Sequence, residues 1–114
     1  MTPIPKGAKK IRTVTICGVK VPVYRVTAGL VPDMGDDFGR SDFQRMCIFI
    51  LAGQHETQER DTLVHECVHM FLVQSGIRSM LEAHHGKRDG FEEFEESIVR
   101  VATPHLVGYL KGLR

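Results

Sequence analysis

Tryptophan is absent from the 114 residues, tyrosine occurs twice, and neither sign of charge dominates. A formal net charge of +1 gives no general pull toward nucleic acid or acidic membranes, so no partner of either kind is expected. Long apolar runs are missing too. The longest, Met46 to Ala52, is far short of the roughly 20 residues needed to span a bilayer. Three cysteines, Cys17, Cys47 and Cys67, form an odd set without paired spacing, which argues against a disulfide framework. Each lies in an apolar stretch, where a free thiol packs as a small hydrophobe. A reduced, cytoplasmic protein is expected. The one concentration of charge, "KGAKKIR" after "MTPIP", has no apolar segment behind it, so it is not expected to be a signal peptide. It reads as a solvated, flexible basic arm over residues 1–10, leaving one folded domain over 11–114.

What is present reads as strands first and helices afterwards. "RTVTICGVKVPVYRV" is rich in β-branched residues and broken by Gly18, which predicts two strands joined by a tight turn. Pro22 lacks a donor and predicts an edge position for the second strand. "AGLVPDMGDDFGR" is a loop by its glycines, proline and aspartates. Met46 to Leu51 reads as a buried strand, paired with a short one near Asp42. A helix is expected from about Gln58 to Ser75, capped by Thr57 and ended by Gly76. A shorter piece follows over "SMLEAHH", then the loop "HGKRDG", then a helix from Phe91 to about Leu110. The class is α+β, a small twisted, mostly antiparallel sheet packed on the central helix with a C-terminal helix beside it.

That central helix is unusual. "TLVHECVHMFLV" is apolar nearly all round, the mark of a buried helix, yet it contains His65, Glu66 and His69. Polar groups are costly to bury unless something satisfies them. At 100° per residue, His65 and His69 lie about 40° apart, one turn from each other, and can converge on one ion. Glu66 lies about 100° round from His65, close enough to reach a water at that ion without being a ligand. This His-Glu-x-x-His pattern suits Zn2+ bound by two imidazoles, with Glu66 as general base. The plain alternative is a pair of core histidines hydrogen-bonded internally.

A catalytic zinc site needs a third protein ligand and an open position. One subclass of such sites uses a histidine six residues after the second motif histidine, but that position is Ser75 here. Downstream candidates are His84, His85, Asp89, Glu92, Glu93, Glu95, Glu96 and His105. Projected from Phe91, the residues Phe94, Ile98, Ala102, Leu106, Tyr109 and Leu113 form an apolar stripe, and Glu95 falls inside it at about 40°. A carboxylate there requires a cation, so Glu95 is the expected ligand, with Glu96, Glu92 or a histidine as alternatives. Charge complementing the helix N-terminus accounts for Glu93 and for Glu92. His105 reads as a core or supporting residue, His84 and His85 as surface loop residues and Tyr24 as a strand-packing residue, the last three also able to steady a developing oxyanion.

"TLVHECVHMFLVQSG" followed by "FEEFEESIVRVATPHLVGYL" resembles the zincin metallopeptidases of the gluzincin type, over roughly residues 40 to 113. It is similar to short zincin-like proteins of phages and prophages, and more distantly to ImmA/IrrE-like repressor-cleaving peptidases. The resemblance implies a twisted sheet against the motif helix, zinc on His65, His69 and Glu95, Glu66 as base, and a protein or peptide substrate. Where the family commonly has alanine three after the glutamate and a small polar residue four after, this chain has Ile98 and Val99. A zinc-bound regulator or binding protein without hydrolytic activity is the rival expectation.

Overall fold

The computed structural model describes residues 3–34, 37–86 and 90–112. Asp89, most of the "GKRDG" loop and Leu113 lie outside these residues, as does the side chain of Tyr109.

Strands β1 (Lys9–Ile16) and β2 (Val19–Val26) pair antiparallel through a two-residue turn. Cys17 and Gly18 both take positive φ there, 51° and 79°. That handedness matches the twist of the strands it joins. The register slips once between Lys10 and Arg12, the sign of a bulge. The basic arm is shorter than expected. Lys9 and Lys10 already pair with Arg25 and Tyr24, and before them Ile4 and Ala8 pack against the core. Arg45 Nε also donates to the Pro3 carbonyl at 3.3 Å. Two apolar side chains suffice to lay the arm on the domain.

Strands β3 (Gly39–Asp42) and β4 (Cys47–Leu51) form a second antiparallel pair, with the short partner where the sequence suggested one. β4 also pairs with β2, in parallel, from Val23 opposite Ile48 to Val26 opposite Leu51. The order β1-β2-β4-β3 makes the sheet mixed, its two outer pairings antiparallel and its central one parallel. β2 is therefore internal, not the edge that Pro22 suggested. Pro22 lies one residue before the pairing with β4 begins, so its missing N–H costs no bond on that side. The exposed edge beside β4 belongs to β3.

β4 is buried on both faces. Ile48 and Ile50 join Ile16, Val21 and Val23 on one side, and Cys47 and Phe49 join Val26, Val31 and Met34 on the other. The first face receives α1 (Glu56–Gln74) through Met70, which is fully buried, with Leu63 and Cys67 beside it. The helix begins two residues earlier than expected. His55, not Thr57, is its N-cap, and its Nδ1 accepts from the Thr57 N–H at 3.2 Å. Gly76 closes the helix with φ of 82°. Helix α2 (Ile77–His85) follows directly, and α3 (Phe91–Gly112) returns along α1, where Val99 sits among Val64, Val68 and Leu72. Among the described residues, no helix is long and apolar enough to cross a membrane.

The face that α3 buries is not the one its apolar stripe predicted. Glu95, Val99 and Thr103 are buried, whereas Phe94 is 40% and Leu106 41% exposed. The buried face is thus turned about 80° from the Phe91 direction. The cause lies in α2. His85 stacks against Phe94, with ring centroids 5.4 Å apart, and meets Phe91 edge-on at 5.7 Å. The aromatic residues pack on the end of α2, and the smaller Val99 makes the close approach to α1.

Candidate metal centre

Rotation of α3 decides which glutamate meets the histidines. His65 Nε2 lies 3.0 Å from Glu96 Oε1, and His69 Nε2 lies 3.0 Å from Glu96 Oε2. The two imidazole rings are 5.0 Å apart between centroids and tilted by 60°. One ligand atom from each of His65, His69 and Glu96 lies within 4.8 Å of the others. The donor chemistry fits Zn2+. Imidazole nitrogen and carboxylate oxygen are both ligands that this ion takes, and each ring here meets its own oxygen of Glu96.

Glu95, the expected third ligand, does not face both rings. Its Oε2 approaches the opposite nitrogen of His69, Nδ1, at 3.5 Å, and Arg78 Nε donates to its Oε1 at 2.9 Å. Its burial was anticipated correctly, at 7% exposed. A cation does meet it, the Arg78 guanidinium. The carboxylate brought to both histidines is that of Glu96, one residue on, because the buried face of α3 is turned. Glu92 lines the cleft without approaching either imidazole closely.

Glu66 is placed by strand β3. Ser41 Oγ lies 2.8 Å from the Glu66 carbonyl oxygen and 2.9 Å from Glu66 Oε1. One hydroxyl carries a single hydrogen, so it cannot donate fully to both. Its donation to the carboxylate oxygen favours the ionised form of Glu66. Burial pushes the Glu66 carboxyl above the ordinary range, against the opposing pull of Ser41 and His65, and Glu96 adds to the rise. Gly39 permits the close approach. A Cβ there would lie 2.5 Å from Thr62 Cγ2 and 3.1 Å from Glu66 Cγ.

These groups line a cleft of about 900 Å³ between β3, the β3–β4 turn, α1 and α3. Phe38 and Phe43, both exposed, lie along it at either end of β3. The turn is fixed by Asp42, whose carboxylate accepts from the backbone N–H groups of Gln44 and Arg45 at 3.0 Å each and also pairs with the Arg45 side chain. Burial raises the Asp42 carboxyl, but those bonds outweigh it and hold it below its usual value. Arg100 reaches Glu96 from solvent, with Nε 3.6 Å from Oε1 and a side chain 76% exposed.

The remaining candidates lie elsewhere. Tyr24 packs on Phe49 at 6.1 Å, on the sheet face away from α1. His85 belongs to the aromatic group with Phe91 and Phe94, and His84 and His105 are exposed. Sequence reasoning missed Ser41, Gly39, Arg78 and Arg100. Arg100 had a usable signal, four residues after Glu96 on one helix. Ser41 and Gly39 had none, because "GRSD" shows no apolar alternation. No family model matches the chain, nor does any curated protein or solved structure.

Proposed function

We propose that the protein is a zincin-like metallopeptidase that hydrolyses peptide bonds, with Zn2+ held by His65, His69 and Glu96 and with Glu66 as general base. The observation that supports this most directly is the single carboxylate of Glu96 facing both imidazole Nε2 atoms in an open cleft, with Glu66 beside them. Two imidazoles and a carboxylate favour zinc over harder divalent ions. A bound Zn2+ supplies Lewis acidity, polarising a carbonyl and making water acidic near neutral pH.

The chain's own residues do the rest. Glu66, held through Ser41, takes a proton from the attacking water and returns it to the leaving amine nitrogen. Its buried position favours holding that proton between the two transfers. An extended substrate would add to the free edge of β3, whose main chain runs along the cleft. Arg100, an exposed cation at the rim of the cleft, is placed to meet charge developing on the substrate carbonyl oxygen. Three free cysteines fit a reducing compartment, and we place the reaction in the cytoplasm.

Replacing Glu66 by Gln tests this. Turnover of an unstructured protein substrate should fall about 10²- to 10⁴-fold while bound zinc is retained. A protein that binds zinc stoichiometrically and cleaves nothing before the substitution is instead the non-hydrolytic regulator.

A further inference from the structure

Glu95 is a buried carboxylate with its two oxygens engaged in different directions. Oε1 accepts from Arg78 Nε at 2.9 Å, and Oε2 faces His69 Nδ1 at 3.5 Å. Arg78 is itself held, with its guanidinium carbon 5.6 Å from the centroid of the Phe91 ring. It comes from α2, a helix with no fully buried residue, so this contact is also that helix's polar anchor. His69 is thereby bracketed by two neighbouring glutamates, Glu96 at Nε2 and Glu95 at Nδ1. Among the described residues, no second carboxylate stands behind His65 in the same way.

We propose that Glu95 and Arg78 form a positioning pair that fixes the orientation and tautomer of His69. This rests on the metal-centre reading above. A metal-binding imidazole offers one nitrogen as a lone pair and keeps its proton on the other. An acceptor on the protonated nitrogen decides which is which, and fixes the ring plane. Glu95 Oε2, 3.5 Å away, is the carboxylate oxygen that faces Nδ1, and in the proposed pairing it takes that proton's bond and directs the Nε2 lone pair of His69 into the cleft. Arg78 occupies the other oxygen and holds the carboxylate in place. Glu95 is therefore not a ligand. The run Glu95–Glu96 divides the work, one carboxylate on each side of the same ring.

The test uses the full chain labelled with 15N, titrated with Zn2+ against a chromophoric chelator. Zinc binding by the unsubstituted protein comes first, and its absence would remove the metal centre itself. Given that binding, Glu95→Ala should weaken zinc about 10- to 100-fold. Arg78→Met, which keeps the apolar stem at a partly exposed position, should weaken it less but in the same direction. In the zinc-loaded protein, the His69 Nδ1–H proton should resonate far downfield. It should lose that shift in Glu95→Ala and move in Arg78→Met, while the His65 ring signals hold. Wild-type zinc affinity in both variants would overturn the pair. So would loss of zinc with the His69 ring proton unmoved, since Glu95 would then act as a ligand or through the fold alone.

Discussion

β4 buries Cys47, Ile48, Phe49 and Ile50 completely and in succession, whereas α2 buries none of its nine residues. The sheet and α1 form a half held by apolar packing on both faces of a central strand. The α2–α3 half is held by Val99 in one small cluster, by an aromatic group around His85, and by ion pairs. The joint between the halves carries unsatisfied polar groups: the Gln74 amide at the end of α1 and His85 Nδ1 at the end of α2 are buried without hydrogen-bond partners. Such groups are uncommon in a well-consolidated core. His65 and His69 hang from the firmly packed half, and Glu96 comes from the lightly packed one. An ion between them would join two regions of unequal local stability.

The sharpest way to break this comparison is to cut each half at its centre. Met70→Ala removes a fully buried side chain between α1 and the sheet, and should cost about 2–5 kcal/mol in denaturant unfolding. Val99→Ala removes two buried methyl groups at the α1–α3 contact, and should cost about 1.5 kcal/mol. Equal losses in the two variants would show that the halves are packed alike. Zinc sharpens the contrast from the other side. At about 100 times its dissociation constant it should add about 2.7 kcal/mol to global stability. Before that, it should slow hydrogen exchange most in the first turns of α3, since those amides open at the least cost. A chelator should reverse the protection, and Glu96→Ala should abolish it. Uniform slowing over the sheet and α3 together would mean that α3 is already as firm as the sheet.

The same inequality governs what could be read in the sequence. The sheet-and-α1 half was legible because its signals are local and strong, with β-branched runs, a two-residue turn at Gly18, a helix stop at Gly76, and His65, Glu66 and His69 on adjoining faces of one helix. The α2–α3 half was not. Its helices were placed within a few residues, but the face that α3 buries depends on His85 withdrawing Phe91 and Phe94 toward α2, and no periodicity within α3 contains that. The Glu95 expectation therefore found the buried carboxylate but neither its contact with Arg78 nor the approach of Glu96 to both rings. The mixed sheet was hidden for a related reason, since parallel pairing of β2 with β4 joins segments separated by a whole hairpin strand. Ser41 escaped because the short strand near Asp42 was expected only as a partner for β4, and nothing in "GRSD" shows that it faces Glu66.

Thiol chemistry offers a gentler probe. Burial pushes the Cys47 and Cys67 thiols up to about 11, and Cys67 also feels Glu66, so neither offers much thiolate near neutral pH. A thiol reagent should label exposed Cys17 first, half-buried Cys67 next, and fully buried Cys47 only as fast as the sheet opens. Labelling of Cys47 as early as Cys67 would show the sheet opening without global unfolding.

Ser41→Ala is the smallest change and bears on the seam between β3 and α1. Ser41 favours the ionised Glu66 carboxylate, while burial and Glu96 favour the protonated one and prevail. A folded-state pKa raised above its ordinary 4.5 means that the folded protein holds this proton more tightly than the unfolded chain does. Stability of the metal-free protein therefore falls as pH rises through that window, and is recovered below it. Removing the hydroxyl takes away a contact that lowers the pKa, so the window widens upward. On the proposed reading Glu66 is a general base, which works only when ionised, so the acidic limb of kcat/KM should move to higher pH in Ser41→Ala, with the plateau nearly kept. The metal-free variant should also lose more stability than the parent as pH rises toward neutrality. A limb that stays in place while stability drops equally at every pH would make Ser41 a strand residue and nothing more. It would then leave Glu66 oriented by Gly39 and Thr62 packing alone, and the lever on the base would lie in the close approach of backbone to helix.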